Sequence, residues 1–307
     1  MINLRYQDKG TPLHRLHPVA KVGWAVAVLI VALVVDSPAF LLALFLSTLP
    51  LVGAARVWRE WGSLMKLALY LAGAIVVINA LVSSHGSHIL VTLPGSLPLV
   101  GAPVITLEAI IYGAVMSLRL AAIISAFALI TFTVSPDDIM AAMLKIKLPY
   151  KSVLVISLST RFVPTLIDDT ARLSDVQRAR GLELDRGRFG ERIRSRSTIT
   201  MALLANSLDR AVQVAEAMES RAFGGSRRTY YQDIGFTVTD IASVVLPLLA
   251  IALAVFMGLN GYGQYQYYPA LAGANPTATE WLLLAIMVVL LVSPGPLALI
   301  KRRRDLD

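Results

Sequence analysis

The segment "STRFVPTLIDDTARLSDVQRARG", Ser159–Gly181, interleaves apolar residues with arginines and aspartates in a chain whose other long segments are nearly free of charge. Its most apolar neighbourhood, Ser152–Ile167, carries Arg161 and Pro164 and falls short of the roughly 17–25 apolar residues that cross a bilayer as a helix. The expected structure is an amphipathic helix at the membrane surface, broken at Pro164, because proline lacks an N–H and clashes with the preceding turn. Beyond the break, Leu166, Leu173 and Val176 fall on one helical stripe, and Arg180 follows Val176 by four. A second helix repeats the pattern. Met201, Leu204, Leu208, Val212, Ala215 and Met218 form its stripe, Asp209, Gln213 and Glu216 lie on another face, and Arg221 follows Met218 by three.

Both arginines have small neighbours: Ala179 and Gly181 beside Arg180, Ser220 and Ala222 beside Arg221. One such end is ordinary chemistry, since the helix macrodipole favours a cation at the C-terminus and glycine is a common stop. Two within one insert, each with side chains small enough for another surface to approach, point to docking into an acidic groove of a partner protein.

Outside this insert the chain is apolar. Of 307 residues 56% are hydrophobic and only 16% charged, a balance that excludes an ordinary soluble domain. The absence of cysteine excludes disulfides, thiolate catalysis and cysteine-ligated metals. The first 18 residues, Met1–Pro18, are polar and lack the short apolar core of a cleaved signal, so the first apolar run is expected to remain as a span. Apolar runs occupy Val19–Val35, Ala39–Ala55, Leu64–Val82, Thr106–Val134, Val238–Leu259 and Thr277–Ile300. The first two are short and closely joined by "DSP", as a membrane hairpin or as two tilted spans.

Lysine and arginine set the orientation. With the N-terminus cytoplasmic, Arg5, Lys9, Arg15, Arg56, Arg59, the Lys145–Arg228 region and "KRRR" at 301–304 all lie inside. The opposite loops, Asp36–Pro38, Ser83–Pro103 and Asn260–Pro276, then contain neither residue. The net charge of +8 therefore marks the cytoplasmic side, with "KRRR" a stop-transfer anchor, and implies no nucleic-acid partner. The expectation is an all-α integral membrane protein of about six spans with both termini cytoplasmic. Residues 1–134 hold the N-terminal segment and spans one to four, 135–235 a cytoplasmic helical domain, and 236–307 spans five and six with the basic tail.

The sequence resembles the transmembrane T component of energy-coupling factor transporters, the EcfT/CbiQ family. "TPLHRLHPVAKV", Thr11–Val22, is similar to that family's N-terminal motif S-x-L-H-R-L-D-P-x-x-K, and Ser159–Gly181 to its long R-F-I-P…A-Q-x-A-R-G signature. "AMESRAFG", Ala217–Gly224, is similar to its second arginine motif. The layout of spans around a cytoplasmic insert agrees. His17 stands where the family usually has an acid, Val176 where alanine is common, and Ala222 where glycine is usual. The resemblance implies that Arg180 and Arg221, with Ala179, Gly181, Ser220 and Ala222, dock onto two ATP-binding cassette ATPase subunits. It also implies that the chain drives a separate substrate-binding S component importing a vitamin or metal ion across a prokaryotic cell membrane. No G-x-x-x-x-G-K-[ST] loop occurs, so the ATPase belongs to partner chains, and neither a catalytic residue nor a cofactor is implied.

Other candidates remain. Arg119 lies near the middle of the fourth run, where an arginine needs a partner or a wet cavity, and Asn79 and Glu108 are at depths that could serve it. His85 and His88 in "SSHGSH" have metal-ligand chemistry but make at best half a site, so no metal site is assigned. Asp137/Asp138 and Asp168/Asp169 admit an alternative reading, a metal-dependent membrane enzyme acting on phosphate esters. They equally fit acidic first turns of helices. The tyrosines of Asn260–Pro276 suit a membrane interface and need no special role.

Overall fold

The computed structural model describes residues 9–14, 16–83, 86–92, 104–135, 138–139, 149–181, 189–223, 238–269, 271 and 277–304. The chain separates into two compact units, residues 1–139 with 234–307, and residues 140–233.

The first unit contains α1 (Pro18–Val34), α2 (Pro38–Ala55), α3 (Trp58–Val82), α4 (Leu107–Thr133), α7 (Val238–Leu259), α8 (Ala278–Val292) and α9 (Pro294–Arg304). An antiparallel pair, β1 (Ile89–Thr92) and β2 (Val104–Thr106), leads into α4. Among the described residues five helices are long and apolar enough to cross a membrane: α2, α3, α4, α7, and α8 continued through α9 to Lys301. The expected first span is α1, a shorter apolar helix of 17 residues. At 1.5 Å per residue it reaches about 26 Å, less than the ~30 Å of a hydrocarbon core.

This short helix is nonetheless central. Ala20, Trp24, Ala25, Ala27, Val28, Val31 and Ala32 are all buried, and the alanines let neighbouring helices come close. Trp24 Nε1 donates to the carbonyl of Leu291 at 2.7 Å, giving a buried indole N–H its partner. Elsewhere in the core Ser125 Oγ accepts from Trp61 Nε1 at 2.9 Å and lies 2.7 Å from Thr48 Oγ1, so α2, α3 and α4 share one polar knot.

The α1–α2 turn lies level with Arg119, well inside α4. Arg119 Nη2 donates to the carbonyl of Val35 at 2.9 Å and forms an ion pair with Asp36. Neither expected partner is used: Asn79 donates to the carbonyl of Ile75, and Glu108 accepts from Ser87 and His88. The reason is the shortness of α1, which brings the Asp36 turn down to the level of Arg119. Arg119 is about 18 Å along α4 from Leu107.

The space beyond that turn is filled by the tyrosine-rich loop after α7. The N–H groups of Asp36 and Ser37 donate to the carbonyl of Gly263 at 3.0 and 2.9 Å, and the Tyr267 hydroxyl donates to the carbonyl of Asp36 at 2.6 Å. Tyr267 is 5% exposed, with its ring edge-on to Tyr112 at 5.3 Å. Burial, then the nearby Asp36 carboxylate, raises the Tyr267 hydroxyl above its ordinary range, so it stays protonated and keeps donating. Residues 262–268 thus form a packed plug beside the α1–α2 turn, a role that an interfacial position alone does not supply.

The second unit contains α5 (Tyr150–Ala179) and α6 (Phe189–Ser220). Helix α5 runs through Pro164 without the expected break. The proline removes one N–H. On either side of the affected turn the hydroxyls of Thr160 and Thr165 donate to the carbonyls of Ile156 and Arg161, at 3.0 and 3.3 Å. Asp168 and Asp169 consequently lie deep within α5 and not in a first turn. Asp169 pairs with Arg210 of α6 at 3.1 Å, tying the two helices together.

Gly113 of α4 offers a test of the α3–α4 packing. A Cβ there would stand 2.9 Å from Val76 Cα. Alanine raises helix propensity by about 1 kcal/mol, whereas overpacking costs about 1–3 kcal/mol. The obstacle is main chain, so strain prevails: Gly113→Ala is expected to lower the thermal midpoint of the detergent-solubilised protein.

Candidate functional site

The ends of α5 and α6 have the same stereochemistry. Arg180 is the residue that caps α5, with φ −82° and ψ 5°, and its N–H donates to the carbonyl of Val176 at 3.1 Å. Gly181 follows at φ +82° and donates to the carbonyl of Arg178 at 2.9 Å. At the end of α6, Arg221 occupies the equivalent position. Ala222 follows at φ +51° and donates to the carbonyl of Glu219, and Phe223 to that of Met218, both at 2.9 Å. That pair of bonds is the Schellman arrangement, which satisfies the last carbonyls of a helix by turning one residue left-handed. Glycine takes that conformation freely; alanine pays a steric cost.

Each arginine therefore stands at the helix's negative pole immediately before the chain reverses. Both side chains are exposed, and among the described residues neither guanidinium has a partner within the chain. The flanking Ala179, Gly181, Ser220 and Ala222 are exposed as well, and the Ser220 hydroxyl is turned back onto the carbonyl of Ala217 at 3.0 Å. Beside Arg221 lies an open hollow of about 560 Å³ lined by Ala215, Met218, Glu219, Ala222 and Phe223. A guanidinium presented in this way can donate up to five hydrogen bonds to carboxylates of an approaching surface. Along α6, Met201, Leu204, Leu208 and Val212 are all more than half exposed, so the expected stripe is bare.

The N-terminal motif is organised around His17 by Lys21 and Asp240, which the sequence reading did not single out. His17 Nδ1 accepts from the N–H of Val19 at 3.2 Å, with Pro18 as the first residue of α1. Histidine thus performs the N-capping expected of an acid at this position. The N–H of His17 donates to Asp240 Oδ1 at 3.2 Å, and Asp240 pairs with Lys301 at 2.8 Å. Lys21, only 4% exposed, donates to the carbonyls of His14 and Thr133, each at 2.8 Å. The available signal was that Lys21 and Asp240 are ionisable residues at the edges of apolar runs.

The remaining candidates are otherwise engaged. His88 Nδ1 lies 2.8 Å from Glu108 Oε1, whereas His85 is outside the described residues. Ser135 and Asp138 bond reciprocally, at 3.0 and 3.3 Å, in the manner of a capping box, and Asp137 is outside the described residues. Among the described residues no three His, Asp or Glu side chains converge as metal ligands.

The family described as cobalt transport protein, CbiQ, matches residues 9–231, from the N-terminal motif through both arginine-ended helices. The chain belongs to the CbiQ/EcfT family. It is 33% identical over 262 residues to the energy-coupling factor transporter transmembrane protein EcfT of Streptococcus thermophilus, covering 82% of this chain and 96% of that one. The protein of the same name from Bacillus selenitireducens is 30% identical, covering 82% of this chain and 94% of its own length. That of Bacillus subtilis is 29% identical, covering 83% and 97%. Membership accounts for the apolar helices and makes this a transport-system membrane protein.

Relative to that family's usual glycine, Ala222 is a strained choice. Ala222→Gly is expected to stabilise the end of α6 by about 1–2 kcal/mol, read as slower amide exchange at residues 218–223.

Proposed function

We propose that the chain is the T component of an energy-coupling factor importer, a non-catalytic subunit that passes ATP hydrolysis by two ATP-binding cassette subunits to a substrate-binding S component. The observation that carries this reading is the twice-used helix end, each presenting an exposed arginine between small residues. Arg180 and Arg221, with Ala179, Gly181, Ser220 and Ala222, dock one ATPase each. Their guanidiniums enter acidic grooves, where small neighbours let the surfaces close. The absence of a phosphate-binding loop leaves hydrolysis to the partners.

The bare stripe on α6 is the seat of the S component, since a row of apolar side chains that long gains by being covered. Both termini and the unit of residues 140–233 face the cytoplasm of a prokaryotic cell, an orientation that the lysine and arginine distribution supports. The cargo is a vitamin or a metal ion, selected by the S component.

Pull-down of the tagged chain from native membranes in mild detergent, followed by mass spectrometry, tests the assignment. The wild type is expected to bring two ATPase chains and a small hydrophobic membrane protein; isolation alone would overturn the reading. Truncating one partner of a buried charged contact costs about 2–5 kcal/mol, so Arg180→Ala with Arg221→Ala should release the ATPases or separate hydrolysis from uptake. Normal uptake in that double variant would remove the docking assignment. Leu204→Asp with Leu208→Asp should instead keep the ATPases and lose the S component.

A further inference from the structure

The inserted unit is joined to the membrane bundle by two chain connections, one leaving after α4 and one returning at α7. Both roots are held by the same turn of the chain. Thr133 is the last residue of α4, and its carbonyl, which has no later helical N–H to accept, takes the Lys21 ammonium at 2.8 Å. The lysine thereby places a positive charge at the negative pole of α4. Asp240 lies in the first turn of α7, fully buried, where a carboxylate suits the positive pole. It accepts from the N–H of His17 at 3.2 Å and is neutralised by Lys301 of α9 at 2.8 and 2.9 Å. His17 and Lys21 are four residues apart, about 6 Å along α1. One helical turn, itself packed in the core through Ala20, Trp24 and Ala25, thus spans from the exit of the insert to its return.

We propose that the turn His17–Lys21 is a clasp that holds the two roots of the inserted unit at fixed separation, with Lys21 and Asp240 as positioning residues for coupling. The inference rests on the coupling role proposed above. A force applied to the insert can be spent by spreading its roots or passed on to the bundle. Buried charge-assisted hydrogen bonds to both roots close the first route, because opening them gives up contacts to an ammonium and a carboxylate that lie away from water. The motif spacing follows. Histidine caps the helix, proline starts it, and the lysine one turn later is on the side that meets α4.

The chain has no cysteine, so spin labels can be placed at Ile139→Cys and Val238→Cys, both exposed and each beside one root. Distances are measured in lipid nanodiscs on the complex as recovered from membranes, with ATP and with ADP. The wild type is expected to give one narrow distribution, the same with either nucleotide. Lys21→Met, which keeps the shape of the side chain, should hydrolyse ATP yet raise the population of separated roots at least about tenfold, equivalent to about 1.4 kcal/mol, and more with ATP than with ADP. Asp240→Asn keeps an acceptor for His17 but loses the charge. It should spread the roots less, and it carries the test should Lys21→Met fail to assemble. Distributions as narrow as the wild type, or broadening equal under both nucleotides, would overturn the positioning role. If the wild type recovers no ATPase, the coupling role fails, while the root distances of the chain alone still decide whether the clasp exists.

Discussion

A short helix enclosed at the centre of the bundle sets the terms for the rest of it. Helix α1 is the most enclosed of the apolar helices, so whatever its ends lack must be supplied from neighbours. At one end the deficit is met by Arg119, the Asp36 turn and the tyrosine plug. At the other it is met by His17, Lys21, Thr133 and Asp240. Within hydrocarbon an unsatisfied backbone group costs several kcal/mol. Each end is therefore held by donors and acceptors contributed from three or more chain segments that must assemble together.

The second unit follows different rules. Its helices expose apolar side chains that a lone soluble protein would bury, and α5 carries a mid-helix proline at a cost of about 3 kcal/mol. The Asp169–Arg210 pair joins the two helices, and the paired helix ends suit the gripping from outside proposed above. Its apolar side chains are bare along α6, and its ion pair lies where the two helices keep register.

The sequence made the apolar helices legible because hydropathy alone dictates them, and it made both arginine ends legible because their spacing repeats. It misled at Pro164, where a local rule about one N–H was outweighed by the continuous helix on either side. It was silent on Arg119–Asp36, since the pairing depends on how deep a turn sits, which no linear pattern records. His17 shows the same limit in reverse. As an apparent departure from a motif it looked like a defect, yet Nδ1 accepts the same N–H that a carboxylate would. Lys21 and Asp240 were visible as charges at the edges of apolar runs, but their common task appears only when α4, α1 and α7 are set side by side.

The repeated helix end has a consequence for symmetry. A cyclic pair of like subunits presents two equivalent surfaces related by a twofold axis. A single chain without internal repeats can satisfy such a pair only by offering the same local shape twice. Arg180–Gly181 and Arg221–Ala222 do so with unlike residues in like conformations. Under the docking proposed above, the left-handed residue after each arginine acts as a stereochemical copy, letting an asymmetric chain answer a symmetric partner.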